Sequence, residues 1–172
     1  QSSGGKDLDA SIIMVDVPTS NAPGQDPQEV LALALPMAEP LDEMALDFVA
    51  PLVDLFGEGW TRCFYSRHWQ CRGAARSYIA GTIVERVGQC STTIGELLDG
   101  TMRTVHEGLG DQNIKVYSES CRCMTQVVPP FCDQVDGRLL IAHLAPLLKQ
   151  LCVRMGDSKE AVRSQTTDAL FR

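Results

Sequence analysis

Seven cysteines and three histidines are the residues of this 172-residue chain whose types could bind a metal or act as nucleophiles. Their spacing favours neither role, because no Cys-x-x-Cys pair occurs. Cys121 and Cys123 would place their thiols roughly 200° apart on a helix, so they cannot easily share one zinc ion. We expect reduced cysteines that act as small apolar side chains, with a redox or zinc protein as the alternative. His68, His106 and His143 fall on three different predicted helices, and we expect them to be structural or exposed.

No familiar catalytic motif occurs in the sequence. There is no phosphate-binding Gly-x-x-x-x-Gly-Lys loop, no His-Glu-x-x-His, no Gly-x-Ser-x-Gly and no Gly-x-Gly-x-x-Gly after a strand. We therefore predict that the chain is not an enzyme and that it needs no cofactor and no small-molecule substrate.

Another group of residues is suited to binding a protein. Trp69 is surrounded by polar and cationic neighbours, and Trp and Arg are enriched among the residues that dominate protein interfaces. The candidate binding residues are Arg67, His68, Trp69, Gln70, Asn113, Lys115, Ser158 and Lys159. The alternatives are that Trp69 packs between two repeats and that the lysines are ordinary solvated residues at helix starts. Arg72, one helical turn after Trp69, either stacks on it or pairs with an acid inside its repeat, and we favour a structural role.

These residues belong to a pattern that occurs three times, starting at Ser66, Asp111 and Asp157. In each copy a small apolar residue follows five positions later, a small residue nine later and an apolar residue thirteen later. A period of about 40 to 47 residues is the signature of HEAT or armadillo solenoids. We predict an all-α HEAT-repeat α-solenoid of about three antiparallel helix pairs, at 41–87, 92–128 and 137–171. Equivalent turns of stacked repeats should lie in a row along one face.

Helix limits follow from apolar spacing and from residues that end helices. Helices are predicted near 68–87, 92–109, 111–128, 137–155 and 157–171, with Asp111 and Asp157 as N-caps. Pro51 should kink or divide the first helical stretch, which starts at Leu41, and Pro129 with Pro130 should end one repeat.

Composition separates the chain into two parts. Residues 1–62 carry 11 acids and 2 bases, whereas residues 63–172 carry 11 acids and 13 bases. Residues 1–40 contain five prolines, and we expect a linker or poorly ordered acidic arm, with docking of its apolar stretches 11–17 and 30–35 as the alternative. Residues 41–172 form the predicted solenoid domain. Its near-neutral charge argues against nucleic-acid binding, and its sequence offers no signal peptide and no membrane span.

The three turns resemble those of a TOG domain, a flat HEAT-repeat paddle. The resemblance covers about residues 39–172, and the segments that carry it are 39–41, 54–58, 65–72, 111–116 and 156–163. Within the family the chain is most similar to the TOG domain of a ciliary-tip centrosomal protein, and next to a TOG-like domain of a protein kinase. A complete TOG domain has about six repeats, so we expect the chain to be the first half of a longer domain.

The resemblance implies a function for the row of turns. TOG domains bind αβ-tubulin through these loops, so Trp69 would pack on tubulin while Asn113, Lys115 and Lys159 supply hydrogen bonds and charge. It also implies a cytoplasmic, cytoskeletal location at the centrosome or the axoneme tip of the cilium. Glu160 departs from the family pattern, because it puts an acid in a loop face that is usually positive. The alternative function is a HEAT-type scaffold for another protein, or the regulatory domain of a kinase.

Overall fold

The structure, a computed structural model, describes residues 35–42, 46–89 and 94–171. In these ranges it contains seven helices and no strand: α1 (Leu46–Phe56), α2 (Glu58–Tyr65), α3 (Trp69–Gln89), α4 (Ile94–Leu109), α5 (Ile114–Cys132), α6 (Gly137–Arg154) and α7 (Glu160–Phe171). The predicted all-α fold is confirmed. The expected acidic arm up to residue 34, residues 43–45 of the predicted first helical stretch and Cys90 lie outside the described residues. The predicted start of that stretch at Leu41 is wrong, because residues 41 and 42 are not helical.

The helices form two layers. In one layer α4 packs between α1 and α6, and in the other α5 packs between α3 and α7. The short helix α2 joins α1 to α3 and contacts both. Short loops connect α4 to α5 and α6 to α7, and α2 with a short loop connects α1 to α3, which gives the three helix pairs predicted from the repeat.

A single apolar core runs between the layers and includes residues from every helix. The apolar positions at three- and four-residue spacing face inward, as for Leu52 on α1 and Leu98 on α4, both fully buried. Trp60 stacks on Tyr78 with ring centroids 4.1 Å apart. The hydroxyl groups of Tyr117 and Thr166 hydrogen-bond at 2.5 Å and link the second helix pair to the third.

Three helices approach one another closely at Gly108, near the end of α4. An added Cβ atom there would overlap Ser120 Oγ of α5 and Arg76 Nε of α3, and it would lie 2.9 Å from Ser120 Cβ. Ser120 is fully buried and Arg76 is only 2 % exposed, so neither has free space to move into. This position therefore fixes the separation of the two layers beside the second loop.

Several helix ends differ from the predictions. Helix α1 continues through Pro51, and the break falls at Gly57, whose φ of 83° favours glycine. Helix α5 likewise runs through Pro129 and Pro130 to Cys132. Prolines therefore did not set the limits of these two helices.

The predicted N-caps Asp111 and Asp157 are also wrong, because the helices begin three residues later. Each carboxylate accepts a hydrogen bond from the backbone N–H two residues on, at 2.8 Å for Asn113 and 2.9 Å for Lys159. That local bond shapes the loop and delays the helix. Asn113 is the N-cap of α5, and its side chain accepts from the Lys115 N–H.

Residues 35–40, here called the N-terminal strap, pack against the helices. Arg62 on α2 donates to the backbone carbonyls of Ala38 and Glu39, and Cys71 on α3 donates to that of Pro36. Ala38 is only 9 % exposed. The packed part of the chain therefore includes these residues, which the proline content had assigned to the linker. Among the helices that the structure describes, none is long and apolar enough to cross a membrane.

Candidate functional site

The three loops inside the helix pairs, residues 66–68, 110–113 and 155–159, lie side by side. Together with the first two residues of the helix that follows each loop, they are here called the loop edge. Hydrogen bonds between consecutive loops show their adjacency directly. The row predicted from the threefold pattern is therefore present, and arginine side chains hold it together.

Arg72 joins the first loop to the second. Its guanidinium donates to the backbone carbonyls of Ser66 and Arg67 at 2.8 and 2.9 Å. The same group makes a bidentate contact with the Asp111 carboxylate, at 2.6 and 3.0 Å. Arg72 thus has the structural role that was expected. The acid with which it pairs, Asp111, belongs to the next repeat and not to the same repeat as Arg72. Bidentate Arg–carboxylate pairs fix orientation as well as supplying energy.

Arg154 joins the second loop to the third. It donates to the backbone carbonyl of Asp111 and to the carboxylate of Asp157, both at 3.0 Å. Arg163 completes the third loop by donating to the carbonyls of Asp157 and Ser158. Asp111 is therefore the joint of the loop edge, since its side chain binds one arginine and its backbone binds another.

The electrostatic environment agrees with this geometry. Burial raises the pKa of Asp111, but hydrogen bonds from Arg72 and from the Asn113 backbone outweigh it and leave the pKa below its usual value. The backbone N–H of Lys159 likewise lowers the pKa of Asp157. Beneath the loop edge, burial lowers the pKa of Arg76, which donates to the Arg72 carbonyl. The carboxylates of Asp111 and Asp157 are thus held in their charged form.

From the sequence, Trp69 was expected either to be exposed for binding or to pack between two repeats. In the structure it is partly exposed and not buried. Lys115 from the second loop region places its Nζ 4.7 Å from the centre of the Trp69 ring. A cation at this distance over an indole is attracted by the ring electrons. Trp69 and Lys115 therefore form one contact pair that connects the first loop region to the second.

The first loop also carries an acid that sequence reasoning missed. Glu39 of the N-terminal strap approaches Arg67 Nε at 2.7 Å and His68 Nε2 at 3.7 Å, while the Ser66 hydroxyl donates to it at 2.8 Å. Hydrogen bonds from its own backbone and from Ser66 lower the pKa of Glu39. The Arg67 side chain remains 79 % exposed despite this pair.

The other candidate residues have simpler surroundings. Gln70, Ser158 and Lys159 are exposed, and Glu160 beside Lys159 is exposed as well. Asn113 uses its side-chain oxygen to cap α5, and its amide nitrogen can donate to a partner. The structure thus brings Trp69 together with Lys115 and leaves the third loop separate from that pair.

Metal and thiol chemistry finds little support in the described ranges. No group of three or more His, Cys, Asp or Glu side chains there could hold a metal ion. Six cysteines are free thiols, and burial raises the pKa of Cys121 to about 11 and that of Cys123 to about 12. Such thiols are poor nucleophiles at neutral pH.

A shallow cavity of about 190 Å³ lies between α4 and α6, and Asp99, Arg103, His106 and His143 are among its lining residues. His143 Nδ1 is 3.9 Å from an Asp99 oxygen. This groove contains two of the three histidines but none of the candidate binding residues.

Comparison with solved structures identifies the fold. The chain is similar to the TOG domain of human Cep104, with a TM-score of 0.67 and 22 % identity over 79 % of this chain and 54 % of that one. A second CEP104 TOG domain structure gives 0.68 and 24 %, over 77 % and 53 %. No protein-family model matches the sequence, and no curated protein matches it significantly. The resemblance to a TOG domain is confirmed at the level of the fold, and the chain spans about half the length of these structures.

Proposed function

We propose that the loop edge binds αβ-tubulin, either free or within a microtubule. The observation that carries the proposal is the Trp69–Lys115 pair, which presents an aromatic face and a cation on loops braced by Arg72. Trp is enriched among the few residues that carry most of the binding energy in protein interfaces. The TOG fold supports the choice of partner, since domains with this fold are known for binding tubulin.

Charge supports an acidic partner surface. Lys115 and Lys159 are exposed at two different loops, and Arg67 adds an exposed cation at the first. These few cations act locally, although the chain as a whole carries a net charge of −7. We propose a binding role without catalysis, in a cytoskeletal protein of the centrosome or cilium.

The acids on the loop edge favour a second candidate, a HEAT-type scaffold for a protein of mixed surface charge or the regulatory domain of a kinase. Glu39 pairs with Arg67, and Glu160 is exposed beside Lys159. Both acids weaken the positive potential that an acidic partner requires. This candidate predicts a folded chain that does not bind tubulin.

The test is binding of the chain to soluble αβ-tubulin and to microtubules, comparing wild type with Trp69→Glu combined with Lys159→Glu. Loss of an aromatic anchor costs about 2 kcal/mol or more, so we expect affinity to fall by at least about 30-fold. Wild-type binding should also weaken with added salt.

The matched control is Val84→Glu combined with Arg138→Glu, which makes the same charge changes at exposed positions away from the loop edge. Circular dichroism should show that both double variants fold. Equal binding by the two double variants would contradict the loop-edge proposal, and absence of tubulin binding by wild type would favour the scaffold.

A further inference from the structure

The three loops share one hydrogen bond at the same position of the repeated pattern. In each loop, the first side chain of the pattern accepts from the backbone N–H two residues on, and the helix begins at the following residue. The acceptor is the carboxylate of Asp111 in the second loop and of Asp157 in the third, at 2.8 and 2.9 Å. In the first loop it is the hydroxyl of Ser66, which accepts from the His68 N–H at 3.1 Å. The first loop therefore has the same bond as the other two but no carboxylate of its own.

The first and third loops also share a backbone contact. Arg72 donates to the carbonyls of the first two residues of its copy of the pattern, at 2.8 and 2.9 Å. Arg163 follows Asp157 by six positions, as Arg72 follows Ser66, and it donates to the corresponding two carbonyls at 2.7 and 3.0 Å. The two loops therefore have one hydrogen-bonding arrangement and differ in the residue type at its first position.

Glu39 of the N-terminal strap brings a carboxylate to the first loop. The Ser66 hydroxyl, which accepts from His68, donates to Glu39 Oε2 at 2.8 Å. The backbone N–H of Arg67 donates to the same oxygen at 3.3 Å. A hydroxyl that donates to a charged oxygen becomes a stronger acceptor, because consecutive hydrogen bonds polarise one another. Ser66 and Glu39 together therefore do what a single aspartate does in the third loop.

Further contacts hold the strap at this loop. Arg62 Nε donates to the Glu39 carbonyl at 3.1 Å, and Cys71 Sγ donates to the Pro36 carbonyl at 3.1 Å. Ser66 is only 2 % exposed, so water has little access to its hydroxyl as a substitute for Glu39. The acid is thus supplied from a distant part of the sequence by a segment that is fixed on both sides of the loop.

We propose that Glu39 is the positioning residue of the first loop: through the Ser66 hydroxyl it supplies the carboxylate that the other two loops carry in their own sequence. It thereby fixes the backbone from which Trp69 begins α3. The first loop is complete only when the strap is docked. The effect on tubulin binding rests on the function proposed above, whereas the loop geometry does not.

Positioning and simple charge compensation predict opposite results. Glu39 Oε1 lies 2.7 Å from Arg67 Nε, so the acid also offsets a cation of the loop edge. If this charge effect alone mattered, Glu39→Ala should tighten binding to an acidic partner. Because Glu39 positions the loop, we expect Glu39→Ala to weaken binding by about three- to tenfold, since the loop must then be ordered on association.

The first measurement is ¹⁵N relaxation of the full chain without a partner. Glu39→Ala should lower the backbone order parameters of Arg67 and His68 from about 0.85, the value of rigid backbone, toward about 0.6. Adding Ser66→Asp should restore them, because the new carboxylate can accept from His68 as the aspartate of the third loop accepts from Lys159. In the chain that keeps Glu39, Ser66→Asp should instead lower them, because two carboxylates would meet at a mostly buried position.

The second measurement is the affinity of the same variants for soluble αβ-tubulin. Ser66→Asp should restore the affinity that Glu39→Ala loses and should weaken binding when introduced alone. Glu160→Ala is the matched control, since it removes an exposed acid of the third loop region. It should leave the order parameters of the first loop unchanged and tighten tubulin binding. Circular dichroism should show that each variant is folded.

The two measurements separate this proposal from the proposed function. Unchanged order parameters in Glu39→Ala, or failure of Ser66→Asp to restore them, would overturn the positioning role whether or not the chain binds tubulin. Tighter tubulin binding by Glu39→Ala would overturn it as well. A wild-type chain that does not bind tubulin, but whose first loop loosens and is restored as expected, would contradict the proposed function and support the positioning role.

Discussion

Replacing Gly108 by alanine tests the close approach of three helices beneath the loop edge. The new methyl group would overlap Ser120 Oγ and Arg76 Nε, and Ser120 Cβ cannot move away without moving α5. Overpacking of this kind costs about 1–3 kcal/mol, and we expect the upper end because both neighbours are buried. Alanine's better helix propensity returns up to about 1 kcal/mol. The net loss of unfolding free energy is therefore about 2 kcal/mol, or about 4–8 °C in Tm.

The assay is thermal and urea unfolding of Gly108→Ala beside Gly81→Ala. Gly81 lies inside α3 with no atom within 4 Å of an added Cβ, so the same substitution should stabilise there by about 0.5–1 kcal/mol. Adding Ser120→Gly to Gly108→Ala should reveal a favourable coupling, because it removes two of the three clashing atoms and leaves only Arg76 Nε. If Gly108→Ala is as stable as Gly81→Ala, the three helices do not meet as closely as described and the reasoning fails.

Two further predictions concern acid stability and thiol reactivity. The folded-state pKa of Asp111 lies below its ordinary value, so its contribution to stability is present above about pH 4 and is lost as pH falls through the lowered pKa. Urea unfolding at pH 7 to 2 should therefore show a shallower acid loss for Asp111→Asn than for wild type. In native conditions a thiol reagent should label the exposed Cys132 and Cys152, whereas the buried Cys121 and Cys123 should react only after unfolding, as peptide mass mapping would show. Fast native labelling of Cys123 would contradict its burial.

The spacing of the repeat was sufficient to predict the helix pairs and their row of loops. Local rules failed at the helix starts, because Asp111 and Asp157 look like N-caps in sequence while their carboxylates bind N–H groups two residues on. Such competition between a loop bond and a helix cap depends on side-chain geometry that residue type does not specify. Element type was therefore predictable here, as were several helix limits such as the end at 109 and the start at 137, but the helix starts after Asp111 and Asp157 were not.

Long-range polar contacts account for what the sequence concealed at the site. Glu39 belongs to a proline-rich segment that looks like a linker, yet it reaches Arg67 across 28 positions of sequence. Arg62 holds this segment in place by donating to two of its backbone carbonyls. Because every residue has a backbone carbonyl, the sequence gives no sign of this contact. The pairing of Arg72 with Asp111 was likewise hidden, because it joins two repeats that sequence patterns describe one at a time.

The joint at Asp111 has a consequence for how relatives of this chain can diverge. Its carboxylate serves Arg72, whereas its carbonyl, which any residue possesses, serves Arg154. Substitutions at positions 72 and 111 should therefore covary among relatives, since the loss of either residue leaves a charge without its partner. Position 154 should instead track 157, the acid that its guanidinium also binds. Aligned orthologues should show two independent covarying pairs along the edge.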